Sequence, residues 1–227
     1  MRIGIIVAMS VEFDQLTRLM SGHREEKVRG TQFTLGQIGQ HEIVLMQCGI
    51  GKVNAAMGTT LLIGHYTPDC IVSTGCAGGI DTCLDVMDVV VSTELAYHDV
   101  SIGDGYELGQ VQGLPARFTA AKQLVEKAQA LATNTKIHAG LICTGDQFIT
   151  SKTELAKIKE NFPEALAVDM ESTAIAQVCY LQKVPFVSFR IISDTPGADA
   201  HQQQYNNFWG EMADRSFKVT QQFLTSL

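Results

Sequence analysis

The chain has 227 residues, 45% of them hydrophobic and 18% charged, with a formal net charge of −7. This is ordinary globular composition, and the length predicts a single domain over residues 1–227 with a large core. The negative charge argues against a nucleic-acid backbone or an anionic membrane as the main partner. No segment has the pattern of a signal peptide, and none is long and apolar enough to span a bilayer, so the cytoplasm is the expected location.

The six cysteines contain no CxxC pair, so metal-finger spacing is absent and no metal is predicted. Four of them lie in or beside apolar runs and are expected to be buried free thiols, namely Cys48, Cys70, Cys143 and Cys179.

The apolar run at residues 3–8 predicts a strand buried on both faces. Ser10 is the expected N-cap of a helix that follows, which places Glu12 in the first helical turn. An acid in that turn is explained equally well by the helix dipole alone.

Residues 32–38 and 42–48 predict a hairpin with a turn at Gly39 and Gln40. The next segment, GIGKVN at residues 49–54, precedes a helix running to about residue 65. A P-loop fails here because Met46 and Val53 occupy two required positions, and a dinucleotide fingerprint fails at Asn54. The remaining interpretation is a tight turn whose backbone can approach a ligand.

A buried strand is predicted at residues 69–74, followed by a glycine-rich turn at residues 75–79 and another strand at 87–93. Residues 99–115 predict a long loop of functional or interfacial character. His98 and Asp99 are interpreted as a solvated pair, because adjacent residues rarely face each other.

The second half alternates helices at 120–132, 152–162 and 172–181 with strands at 137–143, 166–169 and 184–192. Ser151 is the expected N-cap of the second of these helices. Pro196 and Gly197 predict a turn, and a helix from about 207 to 224 ends the chain. The alternation indicates an α/β domain with a mixed, largely parallel sheet.

Three carboxyl groups follow predicted strands. Glu12 comes after the first strand, Glu171 after a strand near the end of the chain, and Asp194 after the last strand. Strand ends in open α/β sheets are where substrates bind. Each acid has another explanation, since Glu171 can complement its own helix and Asp194 can form an Asx-turn with Pro196. Arg190 must find an anion if it is buried. Carboxylates without a nucleophile pair or metal cluster favour glycosyl chemistry.

The chain resembles the 5'-methylthioadenosine/S-adenosylhomocysteine nucleosidases of the nucleoside phosphorylase-like fold, nearly from end to end. Six motifs in the family's order carry the resemblance: GIIVAM at 4–9 with Glu12, GIGKVNAA at 49–56, STGCAGG at 73–79, TGDQFI at 144–149, VDME at 168–171 and RIISD at 190–194. It implies a single-domain three-layer fold, with helices flanking a central mixed, largely parallel twisted sheet.

The resemblance also implies catalytic roles. Asp194 would protonate N7 of adenine with Ser193 beside it, which requires the pKa of Asp194 to be raised by burial or neighbouring acids. Glu12 would hold and deprotonate the attacking water, with Arg190 fixing its orientation. Glu171 would accept hydrogen bonds from the ribose hydroxyls.

The substrate-binding residues follow in the same way. Met170 would pack under the sugar, Phe148 would stack on adenine, and the backbone of Ile149 would read the edge of the base. The remaining lining would come from Ala8, Met9, Ile50, Cys76, Gly78 and Phe208.

The implied activity is hydrolysis of the N-glycosidic bond of methylthioadenosine and adenosylhomocysteine by a homodimer, without cofactor or metal. Departures from the family pattern at Cys76, Asp104, Gln112 and residues 195–204 leave the preferred 5' substituent open. The alternatives are a nucleosidase for 5'-deoxyadenosine or aminodeoxyfutalosine, a phosphate-dependent purine nucleoside phosphorylase, and a binding protein for adenine nucleosides without catalysis. Glu12 would repel phosphate, which disfavours the phosphorylase.

Overall fold

The computed structural model describes residues 1–195, 207–208 and 213–227. The described strands are β1 Arg2–Val7, β2 Ser21–Val28, β3 Thr31–Ile38, β4 His41–Gln47, β5 Cys70–Gly79, β6 Val89–Tyr97, β7 Phe118–Thr119, β8 Ile137–Thr144, β9 Ala165–Asp169 and β10 Phe186–Asp194. The described helices are α1 Ser10–Leu19, α2 Lys52–Tyr66, α3 Lys122–Gln129, α4 Lys152–Asn161, α5 Ser172–Gln182 and α6 Ala213–Ser226.

The strands form one sheet in the order β10-β6-β8-β9-β5-β1-β4-β3-β2, with β7 paired to β6. Strand β10 also pairs with β5, so β5, β9, β8, β6 and β10 close into a ring. One apolar side chain from each strand of the ring enters a common cluster with Leu84: Ala77, Val90, Ile142, Ala167 and Ile192. The closure brings the ends of β5, β9 and β10 to one place.

Helices cover both faces of the sheet. On one face α1, α3 and α6 pack through residues such as Leu16, Leu124 and Phe223. On the other face α2 and α5 pack through residues such as Leu62 and Ile175. Strand β1 alternates between these two cores, which explains its unbroken apolar run. The predicted three-layer α/β fold is confirmed.

The sheet is mixed, as predicted, but its antiparallel share is larger than the sequence indicated. Five pairings in the described residues are parallel and five are antiparallel. Part of the difference is β2, which was not predicted because its exposed sequence SGHREEKV lacks an apolar alternation. Charged residues are tolerated there because β2 is an edge strand.

Three local predictions were wrong. Strand β5 continues through the glycines to Gly79, where a turn was expected, because β10 and β9 pair with this segment. The N-cap of α1 is Met9 instead of Ser10. Helix α3 is shorter than predicted and ends at Gln129. In contrast, Ser151 caps α4 as expected. The turn predicted at Pro196 and Gly197 lies outside the described residues.

The described part of the loop between β6 and β7 has no regular secondary structure, in agreement with the predicted long loop at residues 99–115. In the described part of the chain, no helix combines the length and apolarity needed to cross a membrane.

Candidate active site

An open-mouthed cavity lies at the carboxyl ends of β1, β5, β9 and β10, and together with the open solvent at its mouth it comprises about 650 Å³. Its concave shape and its mostly apolar lining with a few polar groups are typical of a small-molecule site. The predicted residues that line it are Ala8, Met9, Glu12, Ile50, Cys76, Gly78, Phe148, Ile149, Met170, Glu171, Arg190, Ser193 and Asp194. The fold therefore brings all four predicted catalytic residues together.

Glu12 is buried in the first turn of α1 and is held by three backbone donors. Its Oε2 accepts N–H bonds from Ala8 and Met9 at 3.0 Å each, and its Oε1 accepts one from Cys76 at 3.1 Å. By accepting the N–H of the N-cap residue Met9, Glu12 caps the start of α1, and these bonds hold its carboxylate at the cavity wall. Burial raises the pKa of Glu12, while the nearby charge of Arg190 and the backbone donors act in the opposite direction.

Arg190 is buried on β10 with 2% of its surface exposed. Its Nε lies 3.0 Å from Asp169 Oδ2, and its Nη2 donates to Ser73 Oγ at 2.8 Å and Ser172 Oγ at 2.9 Å. The expected anionic partner is thus present, and it is Asp169. The charge of Arg190 also acts on Glu12, but the orienting role given to Arg190 stays a prediction.

Asp169 lines the cavity and pairs with Arg190, and sequence reasoning did not include it among the site residues. Its Oδ1 accepts from Thr144 Oγ1 at 2.6 Å and from the Ser172 N–H at 3.1 Å, so both the β8 end and the α5 start hold it. The signal was available, because a buried arginine requires an anion and Asp169 ends the neighbouring predicted strand. Three further lining residues were also missed, namely Ala77, Gln147 and Val168.

Glu171 lies one residue before α5, with its side chain in the cavity wall. Its Oε1 accepts the Gly51 N–H at 2.9 Å. Burial, and then the negative charge of Asp169, raise the pKa of Glu171 to about 7, against the lowering effects of Arg190 and Gly51. A carboxyl group with this pKa changes charge near neutral pH.

Asp194 ends β10 and is buried beside Ser193 and Gly78. The Ser193 hydroxyl donates to Asp194 Oδ1 at 2.7 Å. A Cβ on Gly78 would lie 3.3 Å from Asp194 Oδ2, so glycine leaves the room that the carboxyl group needs. The predicted neighbourhood of Asp194 is therefore present. The proposed Asx-turn with Pro196 lies outside the described residues.

Apolar groups line the mouth and the floor of the cavity. Phe148 is 49% exposed and Ile50 is 53% exposed, so both have faces open to a ligand. Ile149 is buried, and Met170 is half-buried. An exposed aromatic ring beside a cleft is suited to stacking on a flat base.

Phe208, which was predicted to line the substrate pocket, lies outside the cavity. It is buried in the apolar core on the α1, α3 and α6 side of the sheet, and it is not among the described residues that line the cavity. The sequence could not separate these roles, because an aromatic residue in a helical pattern fits a core and a ligand pocket equally well.

Cys76 occupies the cavity wall on β5. Its backbone N–H bonds Glu12, while its side chain is a free thiol. Burial and the adjacent Glu12 raise the pKa of Cys76 well above its ordinary value, so the thiol stays protonated. In this state Cys76 is a weak hydrogen-bond donor at most.

These groups can support cleavage of a bond next to a sugar. A buried carboxyl group with a hydroxyl partner can supply a proton, and two further carboxyl groups can stabilise positive charge and activate water. The cavity walls are mostly protein atoms of low polarity, which strengthens such electrostatic effects.

Comparisons with known proteins agree with this geometry. Residues 2–226 match the family model of the phosphorylase superfamily. The chain is 42% identical to the 5'-methylthioadenosine/S-adenosylhomocysteine nucleosidase of Staphylococcus carnosus over 228 residues, 99% of this chain and 100% of that protein.

Solved structures give the same result. The nucleosidase of Colwellia psychrerythraea in complex with adenine superposes with a TM-score of 0.93 at 39% identity, covering 100% of this chain and 96% of that one. The Neisseria meningitidis enzyme in complex with methylthio-immucillin-A has a TM-score of 0.93 at 36% identity, covering 100% and 99%. The chain therefore belongs to the phosphorylase superfamily and, within it, to the 5'-methylthioadenosine/S-adenosylhomocysteine nucleosidases.

Proposed function

We propose that this protein hydrolyses the N-glycosidic bond of 5'-methylthioadenosine and S-adenosylhomocysteine, releasing adenine and the 5-thioribose sugar. The observation that carries the proposal is the placement of Glu12, Glu171 and Asp194 in one cavity with an exposed aromatic ring at its mouth. Relatives at 36–42% identity carry this activity in their names, and two are complexes with adenine or methylthio-immucillin-A.

In the proposed mechanism Asp194 is the general acid. Its proton goes to N7 of adenine, so the base leaves as a neutral molecule and the bond between N9 and C1' breaks with its electron pair on the base. The Ser193 hydroxyl donates to Oδ1 of Asp194 and so helps to fix the orientation of its carboxyl group. General acids of this kind contribute roughly 10²- to 10⁴-fold to a rate.

The departing base leaves a cationic sugar, which the other acids stabilise. Glu171 accepts hydrogen bonds from the ribose hydroxyls, and the Gly51 N–H and Arg190 favour its charged form against the opposing effects of burial and Asp169. Glu12 takes a proton from water as the water oxygen bonds C1'. Burial raises the pKa of Glu12, which makes its carboxylate a stronger base.

Phosphorolysis is the competing proposal, because the superfamily is named for it. A phosphate ion would need cationic partners next to C1'. Among the described residues lining the cavity, the cationic side chain is Arg190, and it is paired with Asp169 at 3.0 Å. Glu12 lies on the same wall and would repel an anion, so water is the better nucleophile.

The test is adenine release from both nucleosides in phosphate-free buffer, repeated with phosphate added. Release without phosphate, yielding free thioribose, supports hydrolysis. Release that requires phosphate would make the protein a phosphorylase and remove the role of Glu12. Parallel assays with 5'-deoxyadenosine and aminodeoxyfutalosine would map the 5' preference, which the departures at Cys76, Asp104 and Gln112 leave open.

We also propose a homodimer. Apolar side chains are exposed on α2, on the loop after β6 and on α5, namely Val53, Met57, Ile102, Tyr106, Leu108, Tyr180 and Leu181. These three elements cover the same face of the sheet. Exposed apolar groups concentrated on one face are typical of an interface. The cytoplasmic location stays a prediction.

A further inference from the structure

Three charged side chains next to the cavity are not explained by the proposed chemistry. They are Lys52, Asp99 and Asp146, here called the Lys52 cluster. Lys52 Nζ lies 2.8 Å from both carboxylate oxygens of Asp99 and 3.6 Å from Asp146 Oδ2. Although all three belong to the described part of the chain, none of them lines the cavity.

Backbone hydrogen bonds complete the cluster. The Lys52 N–H donates to Asp146 Oδ1 at 2.9 Å, and the Asp146 N–H donates to Asp99 Oδ2 at 2.9 Å. The cluster therefore joins three turns that are far apart in sequence, at the start of α2, the end of β6 and the end of β8. The solvated pair predicted at His98 and Asp99 is corrected by this finding, since Asp99 binds Lys52.

The cluster is hydrogen-bonded to the N-terminus of α2. The first N–H groups of a helix have no partner within the helix. In α2 the Gly51 N–H goes to Glu171 Oε1 at 2.9 Å, and the next N–H, of Lys52, goes to Asp146. The N-cap Gly51 has no side chain that could do this itself. Two carboxylates from other turns thus hold the helix start.

The same cluster holds the turn that carries the predicted base-stacking residue. Phe148 and Ile149 follow Asp146 by two and three residues, and both line the cavity. A small displacement of Asp146 would therefore move the Gly51 N–H and the Phe148 ring together. Misplacement of binding groups by about 1 Å can cost roughly a hundredfold in rate.

We propose that the Lys52 cluster is a positioning device, which holds the Gly51 N–H on Glu171 and fixes the turn bearing Phe148. This inference rests on the proposed hydrolysis and assigns to Lys52, Asp99 and Asp146 a role within it. The side chains of the cluster are 20%, 31% and 49% exposed, respectively. Partly exposed ion pairs contribute little to stability, so the effect is expected in catalysis.

The effect can be measured through the pKa of Glu171, on which several nearby groups act. Asp169, Arg190 and Glu12 act on its carboxyl group, and the Cys48 thiol responds to its charge. The Gly51 N–H lowers the pKa of Glu171 by bonding its carboxylate. Loss of that bond should move the acid limb of kcat/KM to higher pH.

The experiment compares disruptive and conservative variants at two positions. Lys52→Met and Asp146→Ala are expected to lower kcat/KM by roughly ten- to a hundredfold and to move the acid limb upward. Lys52→Arg keeps the charge, and Asp146→Asn keeps an oxygen for the Lys52 N–H, so both should stay close to wild type. Lys136→Met is the control, because it breaks an exposed ion pair with Asp85 of the same 2.8 Å length.

Unchanged kcat/KM and pH profile in Lys52→Met and Asp146→Ala, with an active wild type, would overturn the inference. Equal losses in the conservative variants would also contradict it. Thermal unfolding of each variant shows whether a loss arises from misfolding.

A second measurement does not need activity. In protein labelled with ¹⁵N-glycine, the NMR chemical shift of the Gly51 amide should change with pH as Glu171 ionises. The Gly51 signal is identified because this pH dependence disappears in Glu171→Gln. Lys52→Met should remove or shift the titration, and an unchanged amide would overturn the inference. An inactive wild type would refute the proposed hydrolysis alone, since this readout would still decide the positioning role.

Discussion

Burial governs the chemistry of single side chains in this cavity. Glu12, Glu171 and Asp194 are all nearly excluded from solvent, yet each has different partners. Backbone N–H groups hold Glu12, a single N–H and nearby charges act on Glu171, and a hydroxyl accompanies Asp194. In the proposed mechanism these different partners fit the three carboxyl groups for different roles as acid, base and electrostatic stabiliser.

The acid role of Asp194 can be tested by one substitution. Asp194→Asn keeps the shape and the hydrogen bond with Ser193 but cannot supply the proton. We expect kcat for adenine release to fall by roughly 10²- to 10⁴-fold with little change in KM. The measurement is steady-state adenine release at neutral pH. Turnover near the wild-type rate would assign the proton donor elsewhere.

Ionisation of Glu171 should make the free energy of unfolding depend on pH. The pKa of Glu171 rises from 4.5 to about 7 on folding, so the folded state holds this proton more tightly. The stability that the protonated group provides is complete below pH 4.5 and is lost as the pH rises through 7. Relative to Glu171→Gln, the wild type should lose up to roughly 3 kcal/mol between pH 4.5 and pH 8.

Urea unfolding of both proteins at pH 5 and pH 8, at equal protein concentration, measures this difference. The free energy of unfolding of Glu171→Gln minus that of the wild type should grow with pH. A difference independent of pH would show that Glu171 ionises normally in the folded protein.

At the element scale, β5 has the most demanding geometry. Gly75 has a φ of 143°, and a Cβ there would collide with Glu12 Oε1 and approach Arg190 Nη1 to 2.9 Å. The glycine therefore allows a strand backbone to pass directly beside two site residues. This explains why a run of glycines lies within a strand that the sequence predicted to end earlier.

Gly75→Ala should displace Glu12 and Arg190, abolish most activity and lower the free energy of unfolding by roughly 1–3 kcal/mol. The control is Gly22→Ala, which has a φ of 59° but no atom within 4 Å of the added Cβ. The control should lose only about 1 kcal/mol and keep its activity. Equal activities in the two variants, measured by adenine release, would contradict the proposed crowding.

The elements differ in how well the sequence could predict them. Strands β1 and β10 are buried on both faces, and their apolar runs, interrupted in β10 by Ser188 and Arg190, identified them. These runs located Glu12 just after the first strand and Asp194 at the end of the last. Strand β2 carries no such pattern and was missed. Single-strand patterns also say nothing about register, so the pairing of Asp169 with Arg190 could be anticipated only as a need for some anion.

At the scale of the whole molecule, closure of the strand ring assembles the site. β10 pairs with β5 and β6, which are separated from it by about half of the chain. Composition and local patterns cannot predict this closure, and it is what brings Gly78 next to Asp194. The resemblance to a known family placed Gly78 and Asp194 in one predicted site, but the closure itself was not predicted.

The proposed homodimer belongs to this scale. Met57→Glu and Leu181→Glu each place a charge on the exposed apolar face. Light scattering after gel filtration should show wild type at twice the mass of one chain and the variants shifted toward one chain. Lys122→Glu, on α3 across the sheet, should leave the mass unchanged. A monomeric wild type would contradict the dimer.

In the proposed mechanism, buried carboxyl groups in one cavity direct water to a glycosidic bond. Its most direct test is adenine release from methylthioadenosine in phosphate-free buffer by wild type and by Glu12→Gln, with thermal unfolding confirming that the variant folds. We predict rapid release by wild type, a loss of at least a hundredfold in the variant, and no recovery when phosphate is added. Adenine release by Glu12→Gln at the wild-type rate would contradict the proposed mechanism. Release by the wild type only when phosphate is present would contradict it as well.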